Sequence, residues 1–300
     1  MKSNNQSATM PAIEFRHVSI SFGELQVLRD VSFTLSPNEM LFVTGASGSG
    51  KSVMLRLAMG MLSPDEGQIF IQGCEITALE EEVLLDIRGK QLGLVFQDEA
   101  LFTDRDVYDN AAYRLVEHDW PLDKVDTEVR EILGFVGLNH DLEKEVFELS
   151  GGMKRRLELA RAIIGWPQVM LFDEPTTGLD PINAQQVRDM IIRARDLHRM
   201  SSLYVSKAMH EIEYLVSHYA RRNPQGAIEM LKAETGSRAQ TRVLVLDDGE
   251  IAFLGSYEQF CESSLPAIIR LLRPQPSSTN PDFHPLDPWS KERKLGHEIL

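Results

Sequence analysis

Residues 40–52 of this chain read MLFVTGASGSGKS, and the fold class can be inferred from them. Residues 40–43 form a short apolar run, which is typical of a strand buried on both faces of a parallel sheet. From Gly45 to Ser52 the spacing is G-x-x-x-x-G-K-S, and an apolar helical pattern follows through Leu62. A strand, a glycine-rich loop and a helix in this order predict a phosphate-binding site.

The residue types of this loop suit the chemistry of a nucleoside triphosphate. Glycines permit tight turns in which backbone N–H groups converge on phosphate oxygens, and the next helix points the positive end of its dipole at the same anion. Lys51 is expected to reach the β- and γ-phosphates, and the Ser52 hydroxyl to coordinate Mg²⁺. The competing interpretation is a plain Gly/Ser turn. The residues expected to bind ATP are Gly45, Ala46, Ser47, Gly48, Ser49, Gly50, Lys51, Ser52 and Val53.

Two carboxylates follow a second apolar strand. Residues 169–174 read VMLFDE, and ligands of parallel sheets bind at the carboxyl ends of the strands. Asp173 is predicted to hold Mg²⁺, directly or through water. Glu174 is predicted to polarise the water that attacks the γ-phosphate. The competing interpretation is a solvated acidic turn.

Strands alternate with helices along most of the chain, which predicts a layered α/β fold with a largely parallel sheet. Besides strands within residues 12–44, apolar runs predict strands near 68–71, 92–96, 169–172, 203–206, 242–246 and 250–253. Helical patterns lie near 78–88, 106–117, 124–136, 151–164, 183–199, 208–220 and 257–272.

The composition narrows the range of functions. Of the 300 residues, 43% are hydrophobic and 25% are charged, which excludes a wholly disordered protein. No apolar run reaches the ~18 residues that span a bilayer, so a membrane-spanning subunit is not expected. The polar N-terminus has no apolar signal segment, which favours the cytoplasm. A net charge of −14 argues against binding nucleic acid over a broad surface.

A second anion site is predicted between the loop and the carboxylates. Residues 150–152 read Ser-Gly-Gly and open a predicted helix that runs from Lys154 to Ile164. The amino end of this helix again favours an anion. Two such helix starts make sense in one ATPase if the second faces the nucleotide of another copy of the chain.

Several motifs now make the chain recognisable. LSGGM at 149–153, LFDEP at 171–175 and GLDP at 178–181 occur in this order. Together they resemble the ATP-binding subunit of an ABC transporter, and the resemblance covers residues 12–255. The residues that match its signature motif, D-loop, Q-loop and adenine-stacking aromatic are Ser150, Gly151, Gly152 and Met153, then Asp180, Gln97 and Phe22.

The resemblance implies an ATPase with a RecA-like parallel-sheet core, an antiparallel β part and a helical signature subdomain at about 100–160. ATP and Mg²⁺ are the implied cofactors. The implied metal ligands are Ser52, Gln97 and Asp173, and the implied catalytic residues are Glu174, Lys51, Gln97 and Lys207.

The resemblance also implies partners. Two copies would form a head-to-tail homodimer in which the signature residues of one copy complete the ATP site of the other. A transmembrane permease and a small accessory subunit are further implied partners, whereas nucleic acid is not expected. The implied location is the cytoplasmic face of the inner membrane.

A finer resemblance concerns the transported molecule. Residues 96–116 and LSGGMKRR at 149–156 resemble lipid-transport ATPases of the Mla/Mce type, in which Met replaces the usual Gln of the signature, as Met153 does here. A phospholipid or related lipid is then the implied cargo, with another hydrophobic or polar solute as the alternative. Two other functions stay open: a soluble ABC-type ATPase of DNA repair or translation, and a regulatory subunit that binds ATP and barely cleaves it.

The chain departs from the family after the strand at 203–206. The family has a histidine there that contacts the γ-phosphate, followed by an aspartate, whereas this chain has Lys207 and Ala208. Lys207 either touches the γ-phosphate as a cation or pairs with Glu174 and holds it away from water, since an ammonium has donors only. Hydrolysis is expected to be either slow or sustained by Lys207.

The remaining segments complete the predicted organisation. We expect a flexible N-terminus at 1–11, an ATPase domain at 12–255, a C-terminal helix at 256–273 and a proline-rich extended tail at 274–300. An insertion at 220–241 precedes the strand near Arg242, and its residues 227–233 have a helical pattern. Insertions of this size are usually functional or disordered. This one is locally basic, which suits a solvated excursion, or contact with lipid headgroups or an accessory protein.

Overall fold

The computed structural model describes residues 10–233 and 241–272, so the expectations for residues 1–9 and 274–300 lie outside the described residues. The strands are β1 Ile13–Phe22, β2 Leu25–Leu35, β3 Met40–Gly45, β4 Glu66–Ile71, β5 Cys74–Glu75, β6 Leu92–Val95, β7 Val169–Asp173, β8 Ser201–Val205, β9 His218–Arg222, β10 Ile228–Lys232, β11 Thr241–Asp247 and β12 Glu250–Ser256. The helices are α1 Lys51–Ala58, α2 Glu81–Gln91, α3 Val107–Glu117, α4 Leu122–Phe135, α5 Gly151–Ile163, α6 Pro181–His198, α7 Met209–Ser217, α8 Tyr257–Cys261 and α9 Pro266–Leu272, with a 3₁₀ turn at Val146–Glu148.

The central sheet has the strand order β12-β11-β3-β8-β7-β6. All neighbours pair in parallel except β12, which pairs antiparallel with β11. β3 is buried along its whole length, as its continuous apolar run predicts. This sheet, with helices around it, confirms the predicted α/β class. The strand order places the carboxyl ends of β3, β8, β7 and β6 side by side. The predicted site residues follow these four strand ends.

Alternate residues of the central strands bury into two different cores, because successive side chains of a strand point to opposite faces. Phe42, Phe172 and Tyr204 face the core shared with helices α3 to α7, and the Tyr204 ring centroid lies 5.5 Å from that of each phenylalanine. Leu41 and Leu171 face the opposite core, which α1 and the antiparallel strands cover. The sheet is thus the middle layer of the molecule.

Two smaller units flank the central sheet. The antiparallel sheet has the order β2-β1-β4-β5, as predicted for the N-terminal part. The helices α3, α4 and α5 pack together and form the predicted helical unit. Within it the fully buried Asn110 side chain bonds the backbone of Phe102 and the carbonyl oxygens of Arg105 and Asp106, which fixes the loop before α3.

The predicted helix at 227–233 is wrong, because these residues contribute strand β10 of a hairpin with β9. The turn between the strands is closed by Asn223, whose side-chain oxygen accepts from the backbone N–H groups of Gln225 and Ala227. α7 correspondingly ends at Ser217, short of the predicted 220. Residue propensities favoured a helix, but an Asx turn and strand pairing override such weak preferences.

The hairpin is fastened to the body of the protein by one charged pair. Arg195 donates to the carbonyl oxygens of Leu215 and His218, at 2.7 and 2.9 Å. The neighbouring Asp196 accepts from the backbone N–H of Ala220 at 2.7 Å. Of the expected insertion, residues 234–240 lie outside the described residues, and the described part is this hairpin rather than a helix.

The single C-terminal helix expected at 256–273 is also wrong. Residues 256–272 form two short helices, α8 and α9, separated by residues 262–265. Pro266 has no backbone N–H to continue a helix and is well suited to begin one. The chain therefore ends one helix and starts another.

His198 generates a prediction about stability. Its ring stacks on that of Trp166 with the centroids 3.3 Å apart. Burial lowers the pKa of His198; the charge of Glu131 opposes this shift, and the charge of Arg222 adds to it. Because the unfolded chain then binds more protons near this histidine's ordinary pKa, the free energy of unfolding contributed by His198 falls as the pH drops through about 6.5.

We expect His198→Phe, which keeps the stacking and removes the titration, to lose less stability than the wild type between pH 7.5 and pH 5.5. Urea unfolding at both pH values measures the difference. His140→Phe is the control for loss of a surface histidine. An equal acid dependence in wild type and His198→Phe would contradict the prediction.

Candidate active site

Four neighbouring strand ends bring the predicted site residues together. The glycine-rich loop follows β3, and Lys207 comes two residues after β8. Asp173 ends β7, Glu174 follows it, and Gln97 comes two residues after β6. In register, Phe172 pairs with Tyr204 and Val95 pairs with Phe172. Residues far apart in sequence therefore share one edge of the sheet.

Lys51 is folded into the loop that carries it. Its ammonium donates to the carbonyl oxygens of Gly45 and Ala46, at 2.9 and 2.6 Å, and to the Ser49 hydroxyl at 3.2 Å. Burial, and then the nearby charge of Lys207, lower the pKa of Lys51 to about 8, and the charges of Glu174 and Asp173 oppose this shift. The three groups that accept from this buried ammonium are neutral, so they leave its positive charge without a paired negative charge. Such a cation attracts an anion strongly.

The loop approaches its neighbours too closely for larger residues. Gly45 has φ +147°, and a Cβ there would lie 2.1 Å from the carbonyl oxygen of Leu246 on the adjacent β11. At Gly50, φ +98°, a Cβ would meet Leu28 of β2 at 2.6 Å. The antiparallel sheet therefore abuts the loop. On that sheet Phe22 is half exposed at the β1–β2 turn, with its ring available to a base.

Asp173 has the character of a cation ligand. Its Oδ1 atom is buried and has no hydrogen-bond partner among the described residues. Burial raises the pKa of Asp173, while the Ser52 hydroxyl, Arg56 and Lys207 oppose this. An orphaned carboxylate oxygen beside a hydroxyl fits Mg²⁺, which prefers hard oxygen ligands and binds through few protein groups plus phosphates. Gln97 is exposed at the same edge.

Glu174 has both carboxylate oxygens engaged. Lys207 lies with its Nζ 2.8 Å from Oε1, and the Thr177 hydroxyl donates to Oε2 at 3.1 Å. The backbone of Glu174 has φ +45°, and its N–H donates to the carbonyl of Val205 at 3.0 Å. A left-handed non-glycine residue of this kind is costly and is concentrated at functional sites. Of the two expectations for Lys207, the structure shows pairing with Glu174.

The signature residues lie at the start of α5. Ser150 caps the helix, with its hydroxyl accepting from the N–H of Met153 at 3.3 Å. Gly152 faces the side chain of Asn183, and a Cβ there would meet its oxygen at 2.1 Å. Within the described ranges, no hydrogen bond or ion pair joins residues 150–153 to the glycine-rich loop. The exposed Gly151 is open to another molecule.

Asp180 caps the next helix and holds the same asparagine. It accepts from the backbone N–H groups of Ile182 and Asn183 and from the Asn183 amide. The Asn183 amide and these backbone donors lower the pKa of Asp180. Asp180 and Gly152 are thus linked through Asn183, so the D-loop and the signature helix form one surface.

Comparison with known proteins decides the family. The family model described as ABC transporter matches residues 28–177. The chain belongs to the ABC transporter family. It is the ATP-binding subunit of a transporter and an ATPase. Within residues 10–233 and 241–272 no helix has the length and apolarity needed to cross a bilayer.

Three similar proteins illustrate the range of this ABC ATPase's relatives. It is 36% identical over 264 residues to the chloroplastic protein TRIGALACTOSYLDIACYLGLYCEROL 3 of Arabidopsis thaliana, which covers 85% of this chain and 72% of the relative. It is 34% identical over 240 residues to the cell division ATP-binding protein FtsE of Escherichia coli, covering 80% and 96%. Its fold matches the dimeric structure of MJ0796, a bacterial ABC transporter cassette, with a TM-score of 0.68 at 22% identity, covering 81% of this chain and 98% of that one.

A buried charged pair that sequence reasoning missed holds the Gln97 segment of this ABC ATPase. Arg155 on α5 donates to the carbonyl oxygens of Phe96 and Gln97, at 2.6 and 2.8 Å, and pairs with Glu158 at 2.7 Å. Glu158 in turn accepts from the N–H of Ala100 at 2.9 Å. The i,i+3 charge spacing was the available signal, but such pairs usually lie on exposed helix faces.

A second buried network beneath Lys207 was also missed. The Ser206 hydroxyl donates to Glu211 at 2.6 Å and accepts from the N–H of Ala208 at 3.0 Å. Arg188 of α6 lies 3.7 Å from the other Glu211 oxygen. Burial raises the pKa of Glu211, and the bonds from Ser206 and the charge of Arg188 oppose this. Lys207 therefore projects from a turn whose two ends are fixed.

Gly45 and Gly48 of the loop give a matched test of its packing. Both have positive φ, but a Cβ at Gly48 meets nothing within 4 Å, whereas one at Gly45 collides with the β11 backbone. We expect Gly45→Ala to destabilise the ABC ATPase by about 3 kcal/mol and Gly48→Ala by about 1 kcal/mol, because only the first adds a clash to the conformational strain. Urea unfolding of the two variants measures the costs, and equal costs would contradict the close approach.

Proposed function

We propose that the residues at the four strand ends bind and hydrolyse ATP in the roles that their geometry supports. Lys51 and the amides of residues 45–53 hold the β- and γ-phosphates, and Phe22 stacks on adenine. Glu174 orients the attacking water and accepts its proton. The observation that carries this proposal is the convergence of the buried Lys51 ammonium with Asp173 and Glu174 at one edge of the sheet.

Magnesium has a suitable place in this arrangement. Ser52 and Asp173 would hold the ion together with Gln97, and the orphaned Oδ1 of Asp173 supports this assignment. When bound, the ion neutralises phosphate charge. The chain's own contribution is to keep these oxygen groups beside the loop in a partly dry setting.

A head-to-tail homodimer is the second part of the proposal. Ser150, Gly151, Gly152 and Met153 begin a helix whose amino end favours an anion, yet no described bond joins them to their own chain's loop. Asn183 lies against Gly152 and donates to Asp180, so the signature residues and the D-loop lie on the same surface. The similar cassette MJ0796 is described as dimeric. These facts favour a site completed by the signature residues of a second copy.

We infer further that the transporter moves phospholipids or related lipids. The support is the LSGGMKRR signature and the 36% identity to a relative whose name is that of a galactolipid. The chain would then sit on the cytoplasmic face of the inner membrane, bound to a permease and a small accessory subunit. The net charge of −14 makes nucleic acid an unsuitable partner.

A role outside solute transport is the second candidate. The observation that favours it is the similarity to FtsE, a cell division ATP-binding protein of which this chain covers 96%. In such a role ATP binding would drive assembly of a partner complex rather than movement of a lipid.

Steady-state ATP hydrolysis of the full chain with its co-purified permease tests the assigned roles. We expect Glu174→Gln to lower kcat by at least about 100-fold with ATP binding retained, because a proton acceptor is lost and the phosphate contacts remain. Glu117→Gln, an exposed carboxylate at the end of α3, is the matched control. Hydrolysis unaffected by Glu174→Gln would remove Glu174 from the proposed role.

Reconstitution in liposomes tests the cargo. We expect the complex to transfer a fluorescent phospholipid to acceptor vesicles in the presence of ATP, and the Glu174→Gln complex to fail. Transport of a radiolabelled ribonucleotide, measured in the same vesicles, serves as the comparison for a polar solute. ATP hydrolysis with no lipid transfer would favour the second candidate.

A further inference from the structure

Lys207 and Thr177 occupy the carboxylate that the reaction needs. The Lys207 ammonium is 2.8 Å from Oε1 of Glu174, and the Thr177 hydroxyl lies 3.1 Å from Oε2. Each oxygen therefore already accepts from a donor. Each oxygen keeps a second lone-pair site, but a proton accepted from water would cancel the charge of the carboxylate and break its ion pair with Lys207, so the paired state opposes general-base catalysis.

The Lys207 side chain is the more exposed and more flexible member of its pair with Glu174. Its side chain is 45% exposed and that of Glu174 only 10%, so the ammonium stays hydrated wherever it swings. The turn beneath it is fixed by the Ser206 bonds to Glu211 and Ala208. The Glu174 backbone is fixed by its bond to Val205. The flexible four-carbon stem of Lys207 is thus the part of this pair that rearranges at least cost.

A second cation lies close by. The charge of Lys207 lowers the pKa of Lys51, so the two ammonium groups repel each other across the site. An anion bound by the loop beside Lys51 relieves that repulsion and competes with Glu174 for Lys207. ATP carries a γ-phosphate, which places such a charge beyond the β-phosphate, whereas ADP has no γ-phosphate.

We propose that Lys207 is a positioning residue that reads the γ-phosphate and controls Glu174. Without a γ-phosphate, Lys207 closes on Glu174 in what we call the Lys207–Glu174 latch. ATP draws the ammonium to its terminal phosphate and frees the Glu174 carboxylate for water. The latch ties competence for hydrolysis to the presence of ATP. This inference rests on the proposed ATP site.

Calorimetric binding of ADP and of β,γ-imido ATP, each with Mg²⁺, to the full chain tests the latch. We expect Lys207→Met to weaken binding of the ATP analogue about tenfold, the scale of one charge-assisted hydrogen bond, and to change ADP binding less than twofold. Lys207→Arg keeps the cation and should stay within threefold for both nucleotides. Lys144→Met is the matched control, because Lys144 is 46% exposed and lies 2.7 Å from Asp141. Lys207→Gln carries the same test if Lys207→Met does not fold.

Steady-state kinetics separate the latch from simpler roles. With the latch, KM for ATP rises in Lys207→Met and kcat does not exceed that of the wild type. Equal loss of ADP and analogue affinity would overturn the proposal, and so would unchanged affinity with raised kcat, since Lys207 would then stay on Glu174 throughout. If the wild type hydrolyses ATP through Glu174 while Lys207→Met resembles it, only the latch fails. If the wild type binds neither nucleotide, the proposed ATP site fails as well.

Discussion

Parallel pairing of β3, β8, β7 and β6 is the constraint on which the rest of the molecule depends. Parallel strands end at the same edge of a sheet, so the groups that follow them must meet. Here that edge gathers two lysines and two carboxylates, Lys51 and Lys207 with Asp173 and Glu174. Each is partly withdrawn from water, which strengthens every interaction among them. The site is therefore a balanced set of charges that an added anion must rearrange.

Buried polar side chains keep this edge rigid. Arg155 and Glu158 tie the signature helix to the Gln97 segment, and Glu211 with Arg188 ties the Lys207 turn to α6. Removing one partner of a buried pair typically costs about 3–5 kcal/mol, because the other charge is left without compensation. These pairs are better understood as devices that fix geometry than as sources of net stability. Through the Arg155 bonds the helical unit is connected to the edge of the central sheet.

Two further features of this ABC ATPase connect to helix α6. Lys207 pairs with the Glu174 carboxylate, and the turn that carries it is joined to α6 through Glu211 and Arg188. The hairpin β9–β10 extends from α7 and is fastened by Arg195 and Asp196 to α6, the helix that Asp180 begins. Both features therefore connect to the same helix. The hairpin and Asp180 are therefore attached to the same helix.

The sequence by itself determined the fold class and the parts of the site whose chemistry is local. The spacing from Gly45 to Ser52 and the pair Asp173 and Glu174 are complete within short runs, because a loop between strand and helix needs only its own residues. The predicted helix at 227–233 failed, since its propensity was weaker than an Asx turn and strand pairing. Only the tertiary structure decided the contact of Lys207 with Glu174 and of Arg155 with Gln97. These contacts join residues on different strands and helices, and sheet order, not sequence spacing, sets the distance between them.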